Sequence, residues 1–383
     1  GQTSPGGITV RGLHTTEAVY CDQQCGANAR GIQNFIVRHL RSRPANGAFP
    51  DGLRLRYARN GILDHLSMGN AQDEEVEISY TNNLTIQDSI LAETIGDHAQ
   101  YGGMLINYTN PAAGYALDNL SLNRNVWNRI EGRYPEFSRE SGAAAAGTTM
   151  RVEMVNNLIW DQRYFIDVNP RNISGGNDGD FIHYQMNWVG NSSFAPSSNH
   201  FGMIWLQPTG TGTSAYFNDN RSNLWTARGD WDLNRCCGDY NGEAGARPAW
   251  ARTARHAFPT AEAMPASGVR AFAVANAGAF PRDPMDRRLM GNVSAGTFAS
   301  APINVNPAND ALLPAFTGSA PAAPADGDND GMPDAWERAH GLNPAVADHN
   351  GATVSVSMTG VAGYTNLECY LNELAVLRVR GNG

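Results

Sequence analysis

The sequence predicts an all-β protein wound as a coiled parallel β-solenoid, and three observations predict it. Alternating apolar runs recur behind an Asn, as Asn34-Phe-Ile-Val-Arg-His-Leu, Asn60-Gly-Ile-Leu-Asp-His-Leu, Asn83-Leu-Thr-Ile-Gln-Asp-Ser-Ile and Asn119-Leu-Ser-Leu-Asn-Arg-Asn-Val. Period-2 alternation is the mark of a strand, and no helical pattern separates the runs. The 383 residues include 41 Gly and 20 Pro, many for a helical protein and suited to one with many turns.

Two further runs continue the series, Met150-Arg-Val-Glu-Met-Val-Asn-Asn-Leu-Ile-Trp and Phe181-Ile-His-Tyr-Gln-Met-Asn-Trp-Val, without the leading Asn. Shorter strand-like pieces, Leu53-Arg-Leu-Arg, Val76-Glu-Ile-Ser and Met104-Leu-Ile-Asn, lie between them. A coil with two or three short strands per turn stacks each turn on the next through backbone hydrogen bonds. Asn at one corner of successive turns can then form a ladder of side-chain amides. From about residue 195 the alternation fades into Trp- and Arg-rich chain, expected as irregular segments and short helices outside the coil. The predicted division is a β-helix domain over 1–295, an Ala/Pro-rich linker over 296–325, and a small calcium-loop helical module over 326–383.

That module carries the most specific local motif. Asp326-Gly-Asp328-Asn-Asp330-Gly331-Met332-Pro-Asp334-Ala-Trp-Glu337 fills a 12-residue calcium loop. Acidic oxygens of Asp326, Asp328, Asp330, Asp334 and Glu337 fall at positions 1, 3, 5, 9 and 12, with the Met332 carbonyl at 7 and Gly331 for the turn. A second acidic set lies in the coil. Stacked rungs bring Asp51 near Asp73 and Glu77, and strand alternation would aim Glu74 to the other side. Carboxylates converging on one face repel one another unless a cation lies between them. Arg133, in Arg133-Tyr-Pro135-Glu, and Arg129 stand nearby and suit an anionic substrate through forked hydrogen bonds.

Composition narrows the classes of function. The net charge is −9 and every basic residue is Arg, which disfavours general binding of nucleic-acid backbone. No apolar run approaches the roughly 20 residues of a membrane span. Five cysteines, Cys21, Cys25, Cys236, Cys237 and Cys369, leave at least one thiol without an internal partner, compatible with secretion. The opening at Gly1, with no Met and no signal-like segment, is expected of a processed or trimmed product.

The motifs, taken in order, resemble those of the bacterial pectate lyases of polysaccharide lyase family 1, which are right-handed parallel β-helices. Gly1-Gln-Thr-Ser-Pro-Gly-Gly-Ile-Thr resembles the family's GQTAPGGGI, and Leu63-Asp64-His65-Leu-Ser-Met its IDHCSxSW, followed by Asp73-Glu74. His98 with Gly102-Gly103 is similar to the HSYGG turn, Asn125 through Pro135 to HNLFAHNxSRNPR, and Val155-Asn-Asn-Leu-Ile-Trp to NNVIYNW. Pro281-Arg-Asp283 fits the later PRD stretch, and the Asp330 to Glu337 and Gly363 to Glu368 segments recur in extracellular members. The resemblance implies calcium-dependent β-elimination on polygalacturonate by a secreted or cell-surface protein, with calcium on Asp51, Asp73 and Glu77. It makes Arg133 the base at C5 and places Arg129, Arg139 and His98 against the substrate.

Three departures stand out. The family's Lys in the turn after the calcium strands has no counterpart in His98-Ala-Gln100-Tyr101, and Ser138 replaces a second Arg, with Arg139 one residue later. The IDHCSxSW strand carries Leu66, Gly69 and Asn70 at altered positions. A non-catalytic β-helix that binds polysaccharide, or a structural or assembly component, is the alternative reading.

Overall fold

Inward side chains register from rung to rung in one column: Leu63 on Ile86, Ile86 on Leu122, Leu122 on Met154, Met154 on Trp188, and Trp188 on Phe217. All six are buried. Each such burial contributes roughly 1.5–3 kcal/mol, so the column alone is a large part of the driving force for coiling. This computed structural model describes residues 8–11, 31–44, 51–95, 102–130, 132–137, 147–163, 166–168, 182–197, 204–206, 212–224, 226, 229–235, 250–258, 261–302, 305, 308, 310, 319 and 322–381.

The chain is a parallel β-helix. Its strands form a ten-stranded, a seven-stranded and a three-stranded sheet, and every strand pairing among the described residues is parallel. The expected Asn ladder is present. Asn60 donates to Asn34 (3.1 Å), Asn83 to Asn60 (2.9 Å) and Asn119 to Asn83 (2.7 Å), across sequence separations of 26, 23 and 36. All four have left-handed backbone, with φ between 52° and 57°. Asn tolerates that region better than most residues, and its amide then reaches the next corner. We therefore expect Asn83→Ala to cost about 1–2 kcal/mol by denaturant unfolding, from two lost hydrogen bonds and a strained Ala. Asn83→Gly should recover the backbone share of that loss.

A second ladder is buried. Asn157 donates to Asn191 (3.0 Å) and Asn191 to Asn220 (2.9 Å), while the Asn125 N–H donates to the Asn157 side chain (3.0 Å). The coil also runs past residue 195, where the alternation was expected to end. Strands Ile204–Leu206, Ser214–Asn218, Arg221–Ser222 and Asn234–Arg235 continue it. These rungs are too short to show a period in sequence. Phe217 stacks on Trp231 (4.3 Å between ring centroids), and Trp231 meets Trp250 (5.4 Å), so Trp231 and Trp250 pack against this last part of the core.

Two helices, α1 (Ala266–Asn276) and α2 (Pro284–Ala295), lie outside the coil. Asp283 caps α2 by accepting from the Asp286 N–H, Pro284 opens it, and Gly296 closes it at φ 76°. Their apolar faces pack with Ile90, Val126 and Leu158 of the seven-stranded sheet. Arg43, almost wholly buried, clamps α2 to the coil through Asp286 (2.8 Å) and Asp283 (3.2 Å).

By contacts the chain divides into two compact units, Gly1–Leu313 and Pro314–Gly383. Part of the stretch expected as a linker from 296 is held on the first unit. The Thr297 carbonyl accepts from Trp160 Nε1 (3.1 Å), the Pro302 carbonyl from Arg129 (2.7 Å), and Asp310 pairs with Arg288 (2.9 Å). Ala and Pro side chains gave no sign of this, because the first two contacts are made by backbone carbonyls. The second unit contains α3 (Asp334–Ala339), α4 (Ser355–Thr359) and α5 (Asn366–Gly381), around Met332, Leu342, Val354 and Cys369. Cys369 is a buried free thiol, and the other four cysteines lie outside the described residues. Among the described residues no helix is long and apolar enough to cross a membrane.

Candidate active site

Four rungs meet at one corner of the coil, joined by backbone hydrogen bonds. The Gly52 N–H donates to Glu74 O (2.8 Å), Glu75 N–H to Gly102 O (2.8 Å), Gly103 N–H to Gly132 O (3.0 Å), and Met104 N–H to Arg133 O (2.8 Å). Asp51, the acidic pair Asp73-Glu74, the glycine pair Gly102-Gly103, and Arg133 thus occupy successive rungs. Adjacent strands are about 4.8 Å apart, so Arg133 must reach over a whole rung to touch the acids. The glycines leave that path open, and their close packing requires them: a Cβ at Gly103 would lie 2.1 Å from the Arg133 carbonyl oxygen.

Carboxylate oxygens of Asp51, Asp73 and Glu74 all lie within 4.8 Å of one another. Glu74 joins the set because residues 73–75 lie in irregular chain ahead of the strand Val76–Gln87. Strand alternation therefore does not govern Asp73 and Glu74, and the expectation that Glu74 faces away is corrected. Glu77 stands on that strand opposite Arg54. Its carboxylate is taken by Arg54 (2.5 Å), by Arg56 (2.6 Å) and by Ser79 (2.8 Å). Arg54 also holds Asp51 (2.6 Å), so a guanidinium stands between Asp51 and Glu77, two of the three carboxylates expected to share an ion.

The acids are costly to keep charged here. Burial pushes Asp51 up to about 7 against the pull of Arg54, with Glu77 and Asp73 adding like charge. Glu75, fully buried behind them, is pushed up to about 8, again by burial first. One of its oxygens accepts from the Ala71 N–H (3.0 Å), and the other has no hydrogen-bond partner. An all-oxygen set under this strain suits a hard divalent cation.

Arg133 is nearly buried and directed at this cluster. Its Nη1 pairs with Glu74 and its Nε donates to Glu136 (2.8 Å). Arg129, expected to grip substrate, does something else. It is buried, paired with Glu93 (3.0 Å) and Asp161 (3.2 Å), and donates to the carbonyls of Ala301, Pro302 and Val305. Its guanidinium is occupied within the fold, because its left-handed corner stacks between those of Glu93 and Asp161. His98 and Arg139 lie outside the described residues. Sequence reasoning passed over Arg54 and Glu136, although Glu136 closes the Arg-Tyr-Pro-Glu string, and an Arg one strand position from a carboxylate rung was a usable signal.

In the second unit, Asp326, Asp328 and Asp330 hold carboxylate oxygens within 4.8 Å of one another, and so do Asp330, Glu337 and Asp348. The Asp334 carboxylate accepts from the Gly327 N–H (2.7 Å) and from Arg338 (3.0 Å).

The chain is similar to curated fungal proteins along nearly its whole length. A probable pectate lyase C of Emericella nidulans is 26% identical over 98% of this chain and 76% of the relative. Proteins of the same description from Aspergillus fumigatus and Neosartorya fischeri are each 24% identical over 98% of this chain and 77% of the relative. No family model matches the chain. The motifs resemble bacterial members, whereas these relatives are fungal, so the likeness holds at the level of pectate lyase-like proteins.

Proposed function

We propose that the chain is a secreted, calcium-dependent lyase that cleaves pectate or a related polyuronate by β-elimination. The observation that carries this reading is Arg133, drawn across the glycine rung onto Glu74 of the Asp51–Asp73–Glu74 cluster. A scaffold has no need to bury a guanidinium against three gathered carboxylates. Calcium held by Asp51, Asp73 and Glu74 would supply charge neutralisation at the uronate carboxylate and make the C5 hydrogen more acidic. Glu77 stands behind Arg54 as a reserve carboxylate, available only when that pair opens.

Arg133 takes the C5 proton in this scheme as the neutral guanidine, formed once its guanidinium has released a proton to solvent. The electrons left at C5 form the C4–C5 double bond, the C4–O bond breaks, and the departing glycosidic oxygen is protonated by solvent. For this the Glu74 contact must open, so that one guanidinium edge faces the sugar. Glu136, on Nε, keeps the side chain oriented meanwhile. Arg54, 30% exposed at the side chain and paired with Asp51 and Glu77, would receive a second uronate carboxylate only once one of those pairs opens.

In the second unit we read residues 326–337 as a structural calcium loop, with Asp326, Asp328, Asp330, the Met332 carbonyl and Glu337 as ligands. Asp334 is the ligand of the 12-residue pattern that the geometry supports least.

The test is absorbance of the unsaturated uronate product with polygalacturonate and calcium, followed by excess chelator. We expect a rise that chelator stops. The reading fails if no polyuronate gives product with calcium present. A non-catalytic polysaccharide binder is the second reading, favoured by the double pairing of Arg133 to Glu74 and Glu136. It predicts retention on immobilised polygalacturonate without product.

A further inference from the structure

Glu337 is fully buried, and neither of its carboxylate oxygens has a hydrogen-bond partner. One oxygen of Asp328 is in the same position. Unpaired buried carboxylate oxygens are expensive, which points to a cation that they face. The loop's own pattern does not complete its shell. Asp334 at position 9 is engaged elsewhere, capping Gly327 and pairing with Arg338 (3.0 Å). In its stead a carboxylate from outside the loop comes in: an oxygen of Asp348 lies within 4.8 Å of oxygens of both Asp330 and Glu337.

Asp348 is held there from two sides. Its N–H donates to Asp330 (3.1 Å), as does that of His349 (3.1 Å). Asn366, fully buried at the start of α5, donates from its side chain to the Asp348 carbonyl (3.0 Å) and carboxylate (3.2 Å). The Asn366 amide oxygen accepts in turn from the Val354 N–H (3.2 Å), ahead of α4.

We propose that Asp348, and not Asp334, completes the calcium site of the second unit, so that one ion ties loop 326–337 to the segment that seats α4 and α5. Asn366 is a positioning residue in this arrangement. The inference rests on the calcium-loop reading above, and it makes metal binding and packing of this unit one event.

The test uses the full chain and calcium alone, by titration calorimetry, with Glu337→Gln marking the binding component that belongs to this unit. Asp348→Asn keeps an oxygen for Asn366 and removes only the charge. It should weaken that component by roughly tenfold or more, as loss of an anionic ligand does, while Asp334→Asn changes it by less than about threefold. Thermal unfolding separates this from a folding defect. With chelator, Asp348→Asn should unfold no earlier than the parent, since it relieves repulsion among Asp330, Glu337 and Asp348, yet calcium should raise its transition less. The reverse ranking of the two variants overturns the assignment of Asp348 while leaving the loop intact. If Glu337→Gln removes no binding component, the loop reading itself falls, and the inference with it.

Discussion

Arg133→Ala should lower kcat/KM on polygalacturonate by about 10²–10⁴-fold, the range for loss of a positioned proton-transfer group. Initial rates of the unsaturated product in saturating calcium measure it. Arg133→Lys is the informative companion. It keeps a charge near Glu74 but cannot hold Glu136 and the cluster together, because the ammonium is a point donor where the guanidinium is a fork. Its rate should stay within about tenfold of Arg133→Ala. A second readout concerns stability. Removing Arg133 leaves Glu74 buried beside Asp51 and Asp73 without the guanidinium it pairs with, a loss of about 3–5 kcal/mol by analogy with broken buried pairs. Calcium on the same carboxylates offsets that loss, so the variant's deficit should be larger in chelator than in calcium. An active Arg133→Ala enzyme would remove Arg133 from the chemistry; an equal deficit in both conditions would remove the ion from this cluster.

The corners of the coil show what a sequence discloses and what it hides. At Asn34, Asn60, Asn83 and Asn119 the residue type suited to left-handed backbone recurs at the rung spacing, so both period and ladder were legible. At Glu93 and Arg129 the chain also turns left-handed, with residue types that seldom do so, and at Asp161, whose type does so more readily. Their charges are used on each other and on Arg288, which pairs with Glu93 (2.6 Å). A buried ion network that fastens α2 to the coil looks in sequence like a cationic grip for substrate, hence the expectation for Arg129. The acid cluster divided the same way. Asp51 and Asp73 were legible from rung spacing. Glu74 was not, because alternation holds only once the strand begins at Val76. Glu77 was legible in position but not in its partner, since an Arg one rung away claims a carboxylate only when both side chains face outward together.

The second large effect separates two glycines that composition treats alike. Gly103→Ala puts a methyl group 2.1 Å from the Arg133 carbonyl oxygen and 3.2 Å from Ile130 Cγ2. The first neighbour is backbone and is itself the acceptor for the Met104 N–H at 2.8 Å, so it cannot withdraw without opening the ladder. Overpacking of this kind costs about 1–3 kcal/mol or more. The rung that moves carries Arg133, so activity must fall with stability: a displacement near 1 Å at a catalytic group costs on the order of a hundredfold in rate. Gly291 sits in the exposed interior of α2, where an added Cβ meets nothing within 4 Å. Gly291→Ala should instead stabilise by about 0.5–1 kcal/mol, because Gly loses more backbone freedom than Ala in a helix. Rates should be unchanged in that variant. Denaturant unfolding and product formation on the pair give opposite signs of stability and a rate loss in one alone. A Gly103→Ala protein with parental rate and stability would show that the rung spacing at this corner is not what positions Arg133 against Glu74.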